Sequence, residues 1–220
     1  MYLSHYPCEF RLRSFFMTYR NEDRVSFPKV LHLVDVIHTI RCATFSGQYG
    51  CPQRILVILA CRIENQLLWL AMYPDELGEL YRRQADWTLK FAEHCIDLGV
   101  DMIHISDDWG AQKDLMFSPE LWWRLIYPNM KRVGDHCHER GVFVSLHSDG
   151  CVAKVADGIA QIGFDVVHPW QENAGMSYDL YLEKYADKFA ILGGICVQSA
   201  IGILSREELE KEIRRVFRIL

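Results

Sequence analysis

The chain has little clustered positive charge. Its 24 lysines and arginines are scattered among 29 acidic residues, for a formal net charge of −5. A basic stripe or patch is what nucleic-acid binding needs, so no nucleic-acid partner is expected. Long apolar runs are missing too. The most apolar stretch, ILVILAC at 55–61, is seven residues long and gives way to Arg62 and Glu64, whereas a bilayer span takes about 20. The opening MYLSHYPCEFRLRSFF has no apolar core of the secretory kind, so a soluble, cytoplasmic protein with no membrane partner is expected. The eight cysteines (Cys8, Cys42, Cys51, Cys61, Cys95, Cys137, Cys151 and Cys196) never form a C-x-x-C pair. A chain of 220 residues, 50% of them apolar, can bury a core without disulfide staples, so reduced thiols serving mostly as small core residues are expected. No G-x-G-x-x-G follows a β-rich run, which weakens a dinucleotide-binding reading.

What is present is rhythm. PDELGELYRRQADWTLKFAEHCIDLG carries Leu80, Gln84, Trp87, Phe91, Cys95 and Leu98 at steps of three or four and closes on Gly99, the pattern of an amphipathic helix. VDMIHIS follows as a strand. SPELWWRLIYPNMKRVGDHCHERG opens with Ser118 as N-cap and Pro119 in the first turn, and Pro128 is expected to kink or interrupt that helix. VFVSLH, FDVVHPW and AILGGI read as strands, separated by the helices CVAKVADGIAQIG and SYDLYLEKYADKF. SREELEKEIRRVFRIL ends the chain as a helix opened by a capping box, Ser205 to Glu208. Strands alternating with helices make parallel sheets, so the fold class is α/β. Residues 1–45 show no such rhythm and form a separate, unread segment, TFSGQYGCPQR reads as a loop, and the domain is expected over 46–220.

Between an open doubly wound sheet and a (β/α)8 barrel, the polar residues favour the barrel. Successive strands end in Asp107 and Asp108, in His147 and Asp149, in His168 and Gln171, and in Cys196 and Gln198. In a barrel these ends share one mouth, where such enzymes place their active sites. Asp107 and Asp108 can bind a cation or act as acid and base; alternatively Asp107 faces the mouth while Asp108 caps the next turn. Positions 147 and 149 alternate along a strand end and so point to one side, which allows joint chelation; binding of substrate without metal is the competing reading. Trp109 offers an apolar wall for a flat ligand or simply packs. His168, Gln171 and Gln198 are expected to bind substrate. His136, Cys137 and His138 are neighbours on a helix, about 100° apart, and cannot chelate one ion; Cys137 is expected in the core and the histidines on the surface. His104 reads as a satisfied residue inside its strand.

Taken in order, DMIHISDDWG, SPELWWRLIYPNMKRV, GVFVSLHSDG, GFDVVHPWQ and ILGGICVQ resemble the uroporphyrinogen decarboxylase superfamily, over roughly residues 45–220. That resemblance implies a (β/α)8 barrel. It also implies that the chain is incomplete, lacking early strands and the final strand–helix unit, and so is a fragment, a truncated product or a part completed by a partner such as a second copy. The superfamily includes the haem-pathway decarboxylase and methyltransferases that work with corrinoid proteins. In the thiol-methylating branch the HSD position reads His-x-Cys, and both residues bind zinc. Here Asp149 replaces that cysteine, which makes a harder site. A zinc site of His147, Asp149 and Cys196 is one expectation, although the family's further cysteine comes from a later strand than Cys196.

Three functions follow from the resemblance. The first is methyl transfer to or from a corrinoid (methylcobalamin) carried by a separate protein, with Asp107, Asp108, His147 and Asp149 as catalytic candidates and a small-molecule substrate. The second is decarboxylation of a porphyrinogen in haem biosynthesis, for which the arginine-bearing early segment is not found in YRNEDR or CPQR. The third is an inactive fragment or subunit.

Overall fold

The computed structural model describes residues 42–45 and 63–220. ILVILAC, Cys8, Cys51 and Cys61, and everything expected of 1–41 lie outside these residues. Among the described residues there are five strands: β1 (Cys42–Phe45), β2 (Met102–Ser106), β3 (Phe143–His147), β4 (Val166–His168) and β5 (Ala190–Ile191). Between β1 and β2 come α1 (Ile63–Met72) and α2 (Pro74–Asp97). Between β2 and β3 come α3 (Pro119–Leu121), a π-helical turn (Trp122–Ile126) and α4 (Tyr127–Glu139). Then follow α5 (Ala156–Ile162), α6 (Tyr178–Lys184) and α7 (Arg206–Ile219).

All four strand pairings are parallel, in the order β1-β2-β3-β4-β5. A doubly wound sheet reverses direction at a switch point. Here every strand pairs with the next in sequence, as in a barrel wall. The described strands form an arc of such a wall, not a closed ring. β1 corrects one expectation: Cys42–Phe45 pairs with Met102–Ile105, so the described sheet extends into the segment read as rhythmless, and Thr44 and Phe45 are strand rather than loop. Four residues are too few for a period to show, and partner strand pairing decides their state.

The two faces of the arc differ. Ile103, Ile105, Val144, Leu146 and Val167 are buried in one core with Trp122, Ile126, Met130, Val133, Ile159 and Ile162 from the helices. The other face carries Met102, His104, Ser106, Phe143, His147 and His168, all partly exposed. Alternation along each strand thus separates a greasy outer face from a polar inner one. Cys95, Cys137 and Cys151 are buried free thiols, as expected of small core residues.

One helix departs from the sequence reading. On α2 the buried residues are Leu77, Tyr81, Gln84, Ala85, Thr88, Ala92 and Cys95, whereas Leu80, Trp87 and Leu98 are exposed. The expected apolar stripe is rotated because close helix packing favours small residues; even a Cβ on Gly78 would lie 3.0 Å from Leu125. The helix around Pro128 is interrupted as expected, without ending there. Pro128 lacks the N–H of a regular turn, and the π-helical turn over Trp122–Ile126 absorbs the mismatch. Asn129 Nδ2 then donates to the Leu125 carbonyl at 2.9 Å, and α4 runs on to Glu139. The capping box at Ser205 and Glu208 is present as read.

Trp122 fixes how α5 sits. Its ring packs edge-on to Trp109 and Trp123, with centroids 5.3 Å apart in both pairs. Gly158 of α5 lies beneath it so closely that a Cβ there would be 2.5 Å from the indole. Gly158→Ala is therefore expected to lower the free energy of urea unfolding by about 1–3 kcal/mol. A loss under about 0.5 kcal/mol, the range of ordinary surface changes, would show that the indole gives way freely.

Candidate active site

Strand register builds the site. Ser106 pairs with His147 and His147 with His168; one step of two earlier, His104 pairs with Ser145. Paired residues of parallel strands share a face, so three histidines line the inner side of the arc. The rings of His147 and His168 stack, with centroids 4.9 Å apart, inclined by 29°. Their Nδ1 atoms are 2.7 Å apart. At that distance one Nδ1 carries a proton and the other offers its lone pair. His104 lies 6.4 Å from His147 by centroids and shares a hydrogen bond between Nδ1 and Ser145 Oγ at 2.8 Å. Burial, reinforced by the His147 and His168 rings, pushes the His104 pKa down to about 4. Burial and then His147 also lower the His168 pKa, against the pull of Asp149. His104 and His168 are thus held toward neutrality.

Carboxylates meet the outer edge of this column. His147 Nε2 is 3.6 Å from Asp108 Oδ1 and 3.9 Å from Asp149 Oδ2, too far for hydrogen bonds. One donor atom from each of the three residues lies within 4.8 Å of the others. Two loops set this spacing. Asp149 N donates to Asp108 Oδ1 at 2.9 Å, Trp109 N to Ser148 Oγ at 3.0 Å, and Gly150 N to Gln171 Oε1 at 3.1 Å. Asp107 N donates to the His147 carbonyl, Ser148 N to that of His168, and Cys151 N to that of Ala111. Where the loops cross, Gly110 and Gly150 touch backbone to backbone: a Cβ on either would come within 2.6 Å of the other loop's main chain, and Gly150 has φ +77°. Trp170, just past β4, holds φ +49°, a strained value for a bulky residue, and its ring is locked among Tyr181, Tyr185 and Phe189.

Asp108, His147, Asp149 and His168 are thus brought together. Gln171 braces the loop and its Nε2 donates to Gln198 Oε1 at 3.4 Å. Three candidates fall elsewhere. Asp107 continues the parity of Ile103 and Ile105; it is fully buried and accepts from Trp109 Nε1 at 2.7 Å, so it faces the helices and not the mouth. Trp109 is fully buried too and packs on Trp122; packing, not a ligand wall, is its role. Cys196 is not in the donor cluster, where Asp108 stands in its place. Burial works to raise the Cys196 thiol, but hydrogen bonds from Ser199, from the backbone N–H groups of Gln198 and Ser199, and from Gln171 outweigh it and lower the pKa. His136 turns to Glu93 and His138 to Asp165 while Cys137 is buried, so that triplet diverges as read.

Sequence reasoning paired Asp108 with Asp107 rather than with His147 and Asp149, and it missed Ser148 as the brace beneath the loops and the Gly110–Gly150 crossing. Strand parity, applied to MIHISDD, would have separated His104 and Asp108 from Asp107. The donor set suits a divalent cation: two carboxylate oxygens and one imidazole nitrogen, part-exposed and convergent. It provides no thiolate.

These features define a class: a parallel β/α sheet of barrel type with a polar cluster at the carboxyl ends of its strands. The uroporphyrinogen decarboxylase (URO-D) family model matches residues 16–219, and the chain belongs to that family. Among solved structures it is similar to a methyltransferase from Methanosarcina mazei, with a TM-score of 0.65 and 15% identity, covering 81% of this chain and 49% of that one. The chain thus spans about half the length of that protein. No curated protein matches it. Among the described residues no helix is long and apolar enough to cross a membrane.

The low His104 pKa has a stability consequence. On unfolding, His104 regains its ordinary value, so the unfolded chain takes up a proton first as the pH falls. The stabilisation is complete above about pH 6.5 and drains away toward pH 4, by on the order of 3 kcal/mol at most, from the shift to about 4. Urea unfolding of the chain between pH 7 and 4.5 is expected to show this loss, and His104→Gln to flatten it. Parallel pH curves for the two proteins would contradict the buried, neutral state.

Proposed function

We propose that the chain contributes the acceptor-binding wall of a methyltransferase in which a methyl group passes between a corrinoid, carried by a separate protein, and a small-molecule acceptor. The observation that carries this reading is the convergence of Asp108, His147 and Asp149 on the rim of a fold shared with a methyltransferase. A corrinoid brought to this rim would supply the methyl group as an electrophile, the electron pair of the cobalt–carbon bond remaining with cobalt. The chain's own residues have the complementary task. They hold the acceptor's polar atom, weaken its hold on a proton, and exclude other orientations. Asp108 and Asp149 flank His147 Nε2 at 3.6 and 3.9 Å, a gap that an acceptor group or an ion bearing it can fill. His168 and Gln171 keep the ring and the loop in place.

Porphyrinogen decarboxylation fits less well. The part-exposed carboxylates of Asp108 and Asp149 would repel a multiply anionic substrate. The test is methyl exchange with methylcobalamin by the purified chain, supplied with divalent metal and with candidate thiol, alcohol and amine acceptors. Exchange is expected, reduced about 100-fold or more in His147→Gln. Absence of exchange with every acceptor, or conversion of uroporphyrinogen to coproporphyrinogen, would overturn the reading.

A further inference from the structure

We infer that the groove between α2 and α4 is an anion site that takes a phosphate monoester. It lies in the helical layer, on the side of the sheet away from His147, and the inference does not rest on the methyl-transfer reading.

The groove encloses about 540 Å³, a volume suited to a small molecule. Its lining brings three guanidiniums, from Arg82, Arg124 and Arg132, against a single carboxylate, Asp75. The chain as a whole carries a net charge of −5, so this excess of positive charge is local. Helical spacing builds it. Arg82 follows Gly78 by four residues and Arg132 follows Pro128 by four, which puts a long cationic side chain on the same helix face as a short one. The short residues leave the hollow and the long ones wall it. Leu125 and Pro128 add apolar surface to the lining, which an ester's organic group would cover and a bare anion would not.

The guanidiniums are held from outside the groove. Arg82 Nη1 donates to Asp86 Oδ2 at 3.0 Å and Arg132 Nη2 to Asp86 Oδ1 at 2.6 Å. One carboxylate thus draws two guanidiniums together, and it does not line the groove itself. Glu79 takes the Nε and Nη2 hydrogens of Arg82 at 2.8 and 2.7 Å. Arg124 and Arg132 each engage a carboxylate through Nη2 alone, which leaves Nε and Nη1 to grip a phosphate in the forked geometry that guanidinium favours. Asp75, the partner of Arg124, is 86% exposed. An ion pair so open to water is weak, and a dianion can take the place of that carboxylate. Asn129 is only 7% exposed, and its Nδ2 gives one hydrogen to the Leu125 carbonyl, with a second left for a ligand oxygen.

The test is calorimetric titration of the purified chain with phenyl phosphate and with inorganic phosphate at constant ionic strength. One saturable site is expected, about 5-fold or more tighter for phenyl phosphate because its ring covers Leu125 and Pro128. Arg124→Gln and Arg132→Gln should each weaken binding about 10-fold or more, with far-ultraviolet circular dichroism unchanged. Asp75→Asn should tighten binding about 3-fold, since it removes the competing carboxylate; a gain of this kind cannot come from misfolding. His147→Gln should bind as the parent does. No saturable binding of either phosphate, parent-like binding by both arginine variants, or weaker binding by Asp75→Asn would overturn the site, and loss of binding in His147→Gln would move it to the mouth. Equal affinity for the two phosphates would overturn the ester assignment. Binding of poly-glutamate alone would overturn the small-molecule assignment in favour of an acidic protein segment.

Discussion

The site depends on one constraint, the in-register parallel pairing of β2, β3 and β4. Ser106, His147 and His168 stand abreast because their strands share hydrogen bonds at those positions. A slip of one residue in β3 would send His147 to the helix side and bring Leu146 to the mouth. The greasy outer face prevents this, since Val144 and Leu146 are fully buried against the helices. Packing on one side of the sheet therefore fixes chemistry on the other. The loops then add the second dimension: Asp108 and Asp149 leave different strands and are held together by the glycine crossing at Gly110 and Gly150.

The electrostatic character of the mouth follows from depth. Deep in the arc, burial and neighbouring rings hold His104 and His168 toward neutrality. At the rim, the carboxylates of Asp108 and Asp149 are open to solvent. Two imidazoles held toward neutrality, with exposed carboxylates beyond them, make a mouth that attracts cations and repels anions.

Much of this was legible in the sequence. Alternating strands and helices foretold the parallel sheet, and the polar ends of four strands foretold a shared mouth; three of those ends, at Asp108, His147 and His168, do converge. The failures have physical causes. Asp107 and Asp108 look equivalent as a string, but strand parity sends the first under the helices. For Trp109 the sequence left ligand wall and packing open, because burial depends on what packs above it, here Trp122. Cys196 looked like a metal ligand by type, and only the fold shows its partners. The rotated face of α2 arose because close packing rewards small residues such as Ala85 and Ala92 over Leu80 and Trp87. Strand β1 was invisible because its four residues gain their order from a neighbour.

The most direct measurement is nitrogen-15 NMR of histidine-labelled protein, read for scalar coupling across the imidazole contact. A coupling linking Nδ1 of His147 to Nδ1 of His168, at a pH near neutrality and absent in His168→Asn, is the predicted result. Two uncoupled rings, each titrating as an isolated solvent-exposed imidazole, would contradict the register on which the site is built.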